Sequence, residues 1–299
     1  MGRDGTALGA CRFGGRRGLR RRGLARRLQA RFRAASAVCL FLLLPSCSAS
    51  PAEAGREEAA PTTSASPAAP PTGRLAEAVR DGRKVEVGVF GDSFSDGLWW
   101  GLDQEFRQGD IAGMHRFGKP ATGFTDYTRT DLLAHIRAKL DSKPIDMAVI
   151  MFGANDTQPL HGAETPTPYL SDKWKQVVGG RIEAVISLMK ERGVTIVWIG
   201  LPKMRADNYD ERVRRLNDFY AGEMRRHGVP YLETVSLTSD ASGSYVTTIK
   251  GGEGQARSAR TNDGIHMTMS GYRVLATSLA QRLRAIIDDT RRAVAHRDR

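Results

Sequence analysis

A serine closing a short β-branched run, and an aspartate–histidine pair far downstream, are the residues of this chain whose types and spacing could do chemistry. The serine is Ser93 in Gly91-Asp92-Ser93, and the pair is Asp263 and His266 in Asn262-Asp263-Gly264-Ile265-His266. A serine hydroxyl becomes a nucleophile when a base takes its proton. An imidazole base in turn needs a carboxylate to hold its tautomer and stabilise the imidazolium. Acyl transfer also needs N–H donors where a carbonyl oxygen turns negative. The backbone N–H groups of Ser93 and Gly123 and the side-chain amide of Asn155 are the candidates, with Gly118 competing for the place of Gly123. Each residue has a plainer reading beside this one. A serine in an isolated Gly-Asp-Ser is at least as often a turn or N-cap residue, and a lone histidine is more often structural. Only the spacing from Asp263 reverses that for His266. Asp92, Asp96, Asp156 and Asp263 could be imagined as metal ligands, but aspartates at turns and caps are common, and neither a metal nor another cofactor is expected.

These residues must be held by the elements around them. Val85, Val87, Val89 and Phe90 form a nearly continuous apolar run, the pattern of a strand covered on both faces of a parallel sheet. Gly91 lets the chain turn, and a helix is predicted from Asp96 to Phe106, so that Ser93 lies at a strand end and near a helix N-terminus, where anions are favoured. Further strands are predicted over 111–116, 145–152, 194–201 and 229–235. Helices are predicted near 128–140, over 171–192, around Val213 to Tyr220, and over 270–293. Trp99 and Trp100 read as helix packing more readily than as a sugar platform. Residues 238–262, rich in Gly, Ser and Thr, read as a long excursion in which Arg257 and Arg260 are solvated charges, unless Arg260 steers a substrate.

Gly91-Asp92-Ser93, a lone loop glycine, Gly153-x-Asn155-Asp156 and Asp263-x-x-His266 stand in this order over about residues 84–288. The order resembles the four blocks of the SGNH (GDSL-type) hydrolase superfamily. The wording around Asp96 to Gly101 and Phe152 to Gln158 is similar to an uncharacterised exported bacterial branch of it. The resemblance implies a flavodoxin-like three-layer α/β/α sandwich with a mainly parallel five-stranded sheet. It also implies a metal-free triad of Ser93, His266 and Asp263, and ester hydrolysis or acyl transfer.

Charge and cysteine are unevenly spread. The formal charge is +12, yet residues 1–48 carry eleven arginines against the single acid Asp4, leaving 34 basic and 32 acidic residues in the remainder. A nearly neutral body without a basic, aromatic-interleaved stripe gives no ground for a nucleic-acid partner. Cys11, Cys39 and Cys47 all lie in the same first segment, so the body has neither a disulfide nor a thiolate metal site to offer. Arg12 to Arg33 followed by the apolar run Ala34 to Leu44 has the form of an export signal. Leu44-Pro45-Ser46-Cys47 resembles a bacterial lipobox, with membrane attachment through a lipidated Cys47; a signal cut near Ser48 and an uncleaved anchor are the alternatives. Residues 49–74, dominated by Ala, Pro, Ser, Thr and Glu, read as a disordered tether, and residues 75–299 as the hydrolase-like domain.

The expectation is thus an exported periplasmic or envelope serine esterase or O-acyltransferase. Its partner would be an acylated polysaccharide or small ester, with O-acetyl groups the first choice. A catalytically silent module binding glycan or a partner enzyme, and a lipase or thioesterase, are the alternatives. The polar 238–262 segment gives the lipase no support.

Overall fold

The computed structural model describes residues 73–107, 109, 111–128, 130–160, 166–250 and 254–296. The expected export signal, Cys47 and the expected tether up to residue 72 lie outside the described residues. Among the described residues, seven strands and six helices follow in the order α1 (Arg74–Arg80), β1 (Val85–Gly91), α2 (Ser93–Phe106), β2 (Ile111–Arg116), α3 (Leu132–Ser142), β3 (Met147–Met151), α4 (Asp172–Glu191), β4 (Thr195–Ile199), α5 (Asp207–His227), β5 (Tyr231–Leu232), β6 (Thr248–Lys250), β7 (Ala256–Ser258) and α6 (Met269–Ala295).

The central sheet has the order β2-β1-β3-β4-β5, and every neighbouring pair is parallel. Parallel neighbours need crossovers, and each is a helix. The first crossover runs to one side of β1 and the later ones to the other, so right-handed connections place helices on both faces. Accordingly α1, α2 and α6 pack together on one face and α3, α4 and α5 on the other. β3 is buried along its whole length, as a strand covered on both faces must be. The reversal of direction between β1 and β3 opens a crevice at their carboxyl ends, the place where such sheets take ligands.

Local chemistry sets where the elements begin and end. α2 starts at Ser93 and not at Asp96, because the Asp92 carboxylate caps it by accepting from Phe94 N–H at 3.0 Å. Asp131 caps α3 in the same way through Ala134 N–H, which moves its start to Leu132. β5 is reduced to two residues. Pro230 has no N–H to give, and Glu233 captures Ser236 N–H at 3.0 Å, which turns the chain away from the ladder. The 238–262 excursion carries a small antiparallel sheet of β6 and β7, and α1 begins at Arg74, where the tether was expected to end.

On the α1 face, α2 and α6 cross closely at Gly97 and Gly101. A Cβ on Gly97 would strike the Tyr272 ring, and one on Gly101 would lie 2.8 Å from Ala276 Cβ and from the Tyr272 carbonyl. The missing side chains are what let the helix after the serine and the helix after the histidine touch.

Candidate active site

Ser93 and His266 meet across this crossing. Gly91 leaves β1 with φ of +153°, a backbone conformation favouring glycine, and any Cβ there would strike the Met151 carbonyl of the neighbouring strand. The turn puts Ser93 in the first turn of α2, half-buried above the β1–β3 crevice. Its Oγ lies 2.8 Å from His266 Nε2, and His266 Nδ1 lies 2.7 Å from Asp263 Oδ2. With the ring proton on Nδ1 donated to Asp263, Nε2 is left as the acceptor for the serine hydroxyl. The Phe94 ring stacks on the imidazole with centroids 5.1 Å apart, and Tyr272 meets Phe94 edge-on. The three residues named from the sequence are therefore brought together.

The Asp263–His266 loop is a tight, closed structure. Arg260 and Met267 bridge its base, Thr261 N–H donates to the His266 carbonyl at 3.1 Å, and Gly264 takes φ of +72° at its apex against Arg205. Asp263 Oδ1 accepts from the Thr261 hydroxyl at 2.6 Å, Ile265 N–H at 2.8 Å and His266 N–H at 3.0 Å. Burial alone would raise this carboxyl. Hydrogen bonds from Thr261, the His266 ring and the two backbone N–H groups outweigh it and hold Asp263 well below the usual carboxylate range. It stays ionised, as a partner of an imidazolium must.

Asn155 and Gly123 lie on the loops after β3 and β2. Asn155 Nδ2 donates to the Thr122 carbonyl at 2.9 Å, which takes one of its two amide protons. Gly123 is buried against Asp156, where a Cβ would strike the carboxylate, whereas Gly118 lies against Ser95 and Asp96. The Asn155 tie thus runs to the residue before Gly123.

The aspartates once imaginable as metal ligands are occupied otherwise. Asp92, fully buried, accepts from Phe94 N–H through Oδ1 and from Gly153 and Ala154 N–H through Oδ2, all at 3.0 Å. Burial pushes its carboxyl up to about 6 against the pull of those three donors. Asp156, also fully buried, accepts from Thr125 N–H and hydroxyl and from the Tyr220 hydroxyl, and burial raises it too. Asp96 forms a two-pronged pair with Arg116 at 2.8 and 2.7 Å. Asp92 welds the serine turn to the Asn155 loop, and Asp156 welds that loop to the glycine loop. Sequence reasoning missed both ties. The cap at Asp92 had a local signal, but the donors Gly153 and Ala154 lie 61 and 62 positions away, a spacing that announces nothing.

Two other expectations about side chains are resolved. Trp99 is indeed a packing residue, its indole N–H donating to the Met114 carbonyl at 2.8 Å and tying α2 to β2. Arg257 is exposed, but Arg260 is not the solvated charge the Gly/Ser/Thr-rich segment implied. It is 5% exposed, with its guanidinium bonded to the Lys203 and Ile265 carbonyls and covered by the Tyr245 ring.

A parallel sheet of this order, with the four sequence blocks converging on one rim, defines the fold of the SGNH (GDSL-type) class. Within it, the family whose profile matches residues 86–282 is described as "Protein of unknown function (DUF459)", and the chain belongs to that family. No curated protein matches the sequence. Solved structures similar to it include a putative acylhydrolase from Bacteroides fragilis (17% identity, 72% of this chain and 96% of that one, TM-score 0.48). A GDSL-like lipase from Bacteroides thetaiotaomicron (16%, 71% and 100%, 0.48) and a carbohydrate esterase family 3 protein from Talaromyces cellulolyticus (15%, 69% and 99%, 0.45) are also similar.

Proposed function

We propose that the protein is an exported serine esterase or O-acyltransferase acting on short acyl groups, O-acetyl first, carried by a cell-envelope or secreted polysaccharide. The observation that carries the chemistry is the unbroken chain from Ser93 Oγ through His266 to Asp263, at 2.8 and 2.7 Å. In this reading Ser93 Oγ attacks the ester carbonyl while His266 Nε2 takes its proton and Asp263 steadies the imidazolium. The oxyanion is met by the N–H groups of Ser93 and Gly123 and the second amide proton of Asn155. His266 returns the proton to the leaving sugar hydroxyl, and water or another hydroxyl then frees the acyl group from Ser93.

Exposure supports a short acyl group on a bulky carrier. The His266 and Asp263 side chains are 36% and 45% exposed, so the acid–base pair stands at the surface, where an extended polymer can reach it. A surface site gains little from added methylenes, while a buried acyl channel would gain up to about 0.8 kcal/mol for each. Export rests on the arginine-rich segment, the apolar run and the Pro/Ala-rich tether of the sequence.

A fluorophosphonate probe should label the wild type and not Ser93→Ala, with both giving the same far-ultraviolet circular dichroism; equal labelling of the variant would exclude Ser93 as nucleophile. Across p-nitrophenyl acetate, butyrate and octanoate, kcat/KM should be highest for acetate. A steep rise with chain length would replace the polysaccharide reading with that of a lipase.

A further inference from the structure

We infer that Arg260 is a positioning residue of the acid–base loop, gripping the peptide from which the His266 ring hangs and tying it to the carboxyl end of β4. The inference rests on the reading of Ser93, His266 and Asp263 as a working triad. Its geometry is specific. The peptide joining Ile265 to His266 is pinned at both ends: its carbonyl accepts from Arg260 Nη1 at 3.2 Å, and its N–H donates to Asp263 Oδ1 at 3.0 Å. Turning that plane would swing the imidazole away from Ser93 Oγ and from Asp263 together.

The other arm of the guanidinium reaches the Lys203 carbonyl in the β4–α5 loop. That loop is itself held firmly. Lys203 Nζ and Met204 N–H donate to the two oxygens of Asp210 at 2.7 and 2.8 Å, and Lys203 N–H donates to the Thr238 hydroxyl at 3.1 Å. Arg205 adds parallel ties, from its N–H to the Gly264 carbonyl at 3.0 Å and from Nη2 to the Asn262 carbonyl at 2.7 Å. Arg260 is therefore the buried link between the rigid sheet and the residue before the base.

Its chemistry is unusual for a structural arginine. A guanidinium taken out of water is ordinarily held by a carboxylate, because neutral acceptors compensate the lost hydration less well. Here, among the described residues, its hydrogen bonds go to two main-chain carbonyls, its Nε has no partner, and the Tyr245 ring covers it with CZ 5.1 Å from the centroid. A planar fork that spans two carbonyls on separate segments is a task that neither lysine nor an apolar side chain can perform.

The test uses the full chain with Arg260→Lys, Arg260→Met and, at the far end of the link, Asp210→Asn, beside Arg257→Ala on the exposed part of the same excursion. Turnover of p-nitrophenyl acetate and the downfield proton resonance of the His266 Nδ1–H bonded to Asp263 are read in folded protein. Misplacing a base by a fraction of an ångström to one ångström can cost up to about 100-fold, so the Arg260 variants should lose about 10- to 100-fold in kcat with KM nearly unchanged. Their downfield resonance should broaden or vanish. Asp210→Asn should show a weaker form of the same signature, and Arg257→Ala none. Unchanged kcat with an intact resonance in folded Arg260→Lys would overturn the inference, as would a rise in KM at constant kcat, which would make Arg260 a substrate contact. Should Arg260→Met fail to fold, the lysine variant decides. A wild type inactive on every ester, with a resonance still sensitive to Arg260, would defeat the esterase reading and leave the positioning role standing.

Discussion

Asp92 and Asp263 are both carboxylates of the site, and their surroundings push them in opposite directions. Asp263 collects four donors near the surface and is held low; Asp92 collects three in a fully buried place and is pushed up to about 6. The sign of the consequence for stability follows from which state binds the proton first. The folded chain protonates Asp92 more readily than the unfolded chain does, so its contribution to stability is fully present below the ordinary aspartate value of about 4 and is lost as pH rises through about 6. Asp92→Asn lacks that titration. Urea midpoints of wild type and variant, compared across this window, should therefore shift in the variant's favour as pH rises; parallel curves would remove Asp92 as the source. Asp92 also shows what spacing conveys and what it withholds. Asp263 and His266 are three apart in one turn, so their meeting could be read directly. Arg260 could not, because a charge in a Gly- and Ser-rich stretch looks solvated until Lys203 and Tyr245 are seen to cover it.

At the scale of elements, the contact that decides the site is the crossing of α2 and α6. Tyr272 fills the notch at Gly97, touches Phe94 edge-on, and Phe94 stacks on His266, so packing at the crossing is passed directly to that imidazole. Gly97→Val should push Tyr272 out of the notch. Overpacking of this kind costs about 1–3 kcal/mol, and the urea midpoint should fall accordingly. Turnover should fall further than the loss of folded protein accounts for; turnover tracking the folded fraction would show that the stack does not govern the base. The buried strands and long amphipathic helices were legible because apolar runs and 3.6-residue periodicity are local patterns. β6 and β7 were not, since Ile249 is the one buried residue in the two strands. α1 was missed for a related reason: seven residues beside an Ala/Pro-rich stretch carry too few turns to show a period.

Across the whole molecule, α1 closes the end of the sheet opposite the site. Leu75, Ala76 and Ala78 are buried, Arg74 donates through N–H to the Gly193 carbonyl at 2.8 Å and through Nε to the Ile145 carbonyl at 2.7 Å. Just beyond, Arg83 grips the fully buried Asp146 with two hydrogen bonds at 2.6 and 2.8 Å. α1 is therefore part of the folding unit. A chain of residues 73–299 keeps all of these contacts and serves as the reference. One of residues 84–299 strips Asp146 of its arginines, and leaving a buried charge unpaired costs about 3–5 kcal/mol. Equal midpoints for the two truncations would show α1 to be an ornament.

On the proposed reading, the same crossing of α2 and α6 sets when the serine and its base come together. Ser93 and His266 are 173 positions apart, one near the front of the folding unit and the other just before its last helix. A chain that emerges N-terminus first, from the ribosome or through a membrane, presents the serine long before its base exists as a placed group. Until α6 settles into the notch at Gly97, Ser93 is an ordinary alcohol. On the proposed reading of Ser93 and His266 as nucleophile and base, that order of arrival makes the docking of the final helix the step that completes the pair.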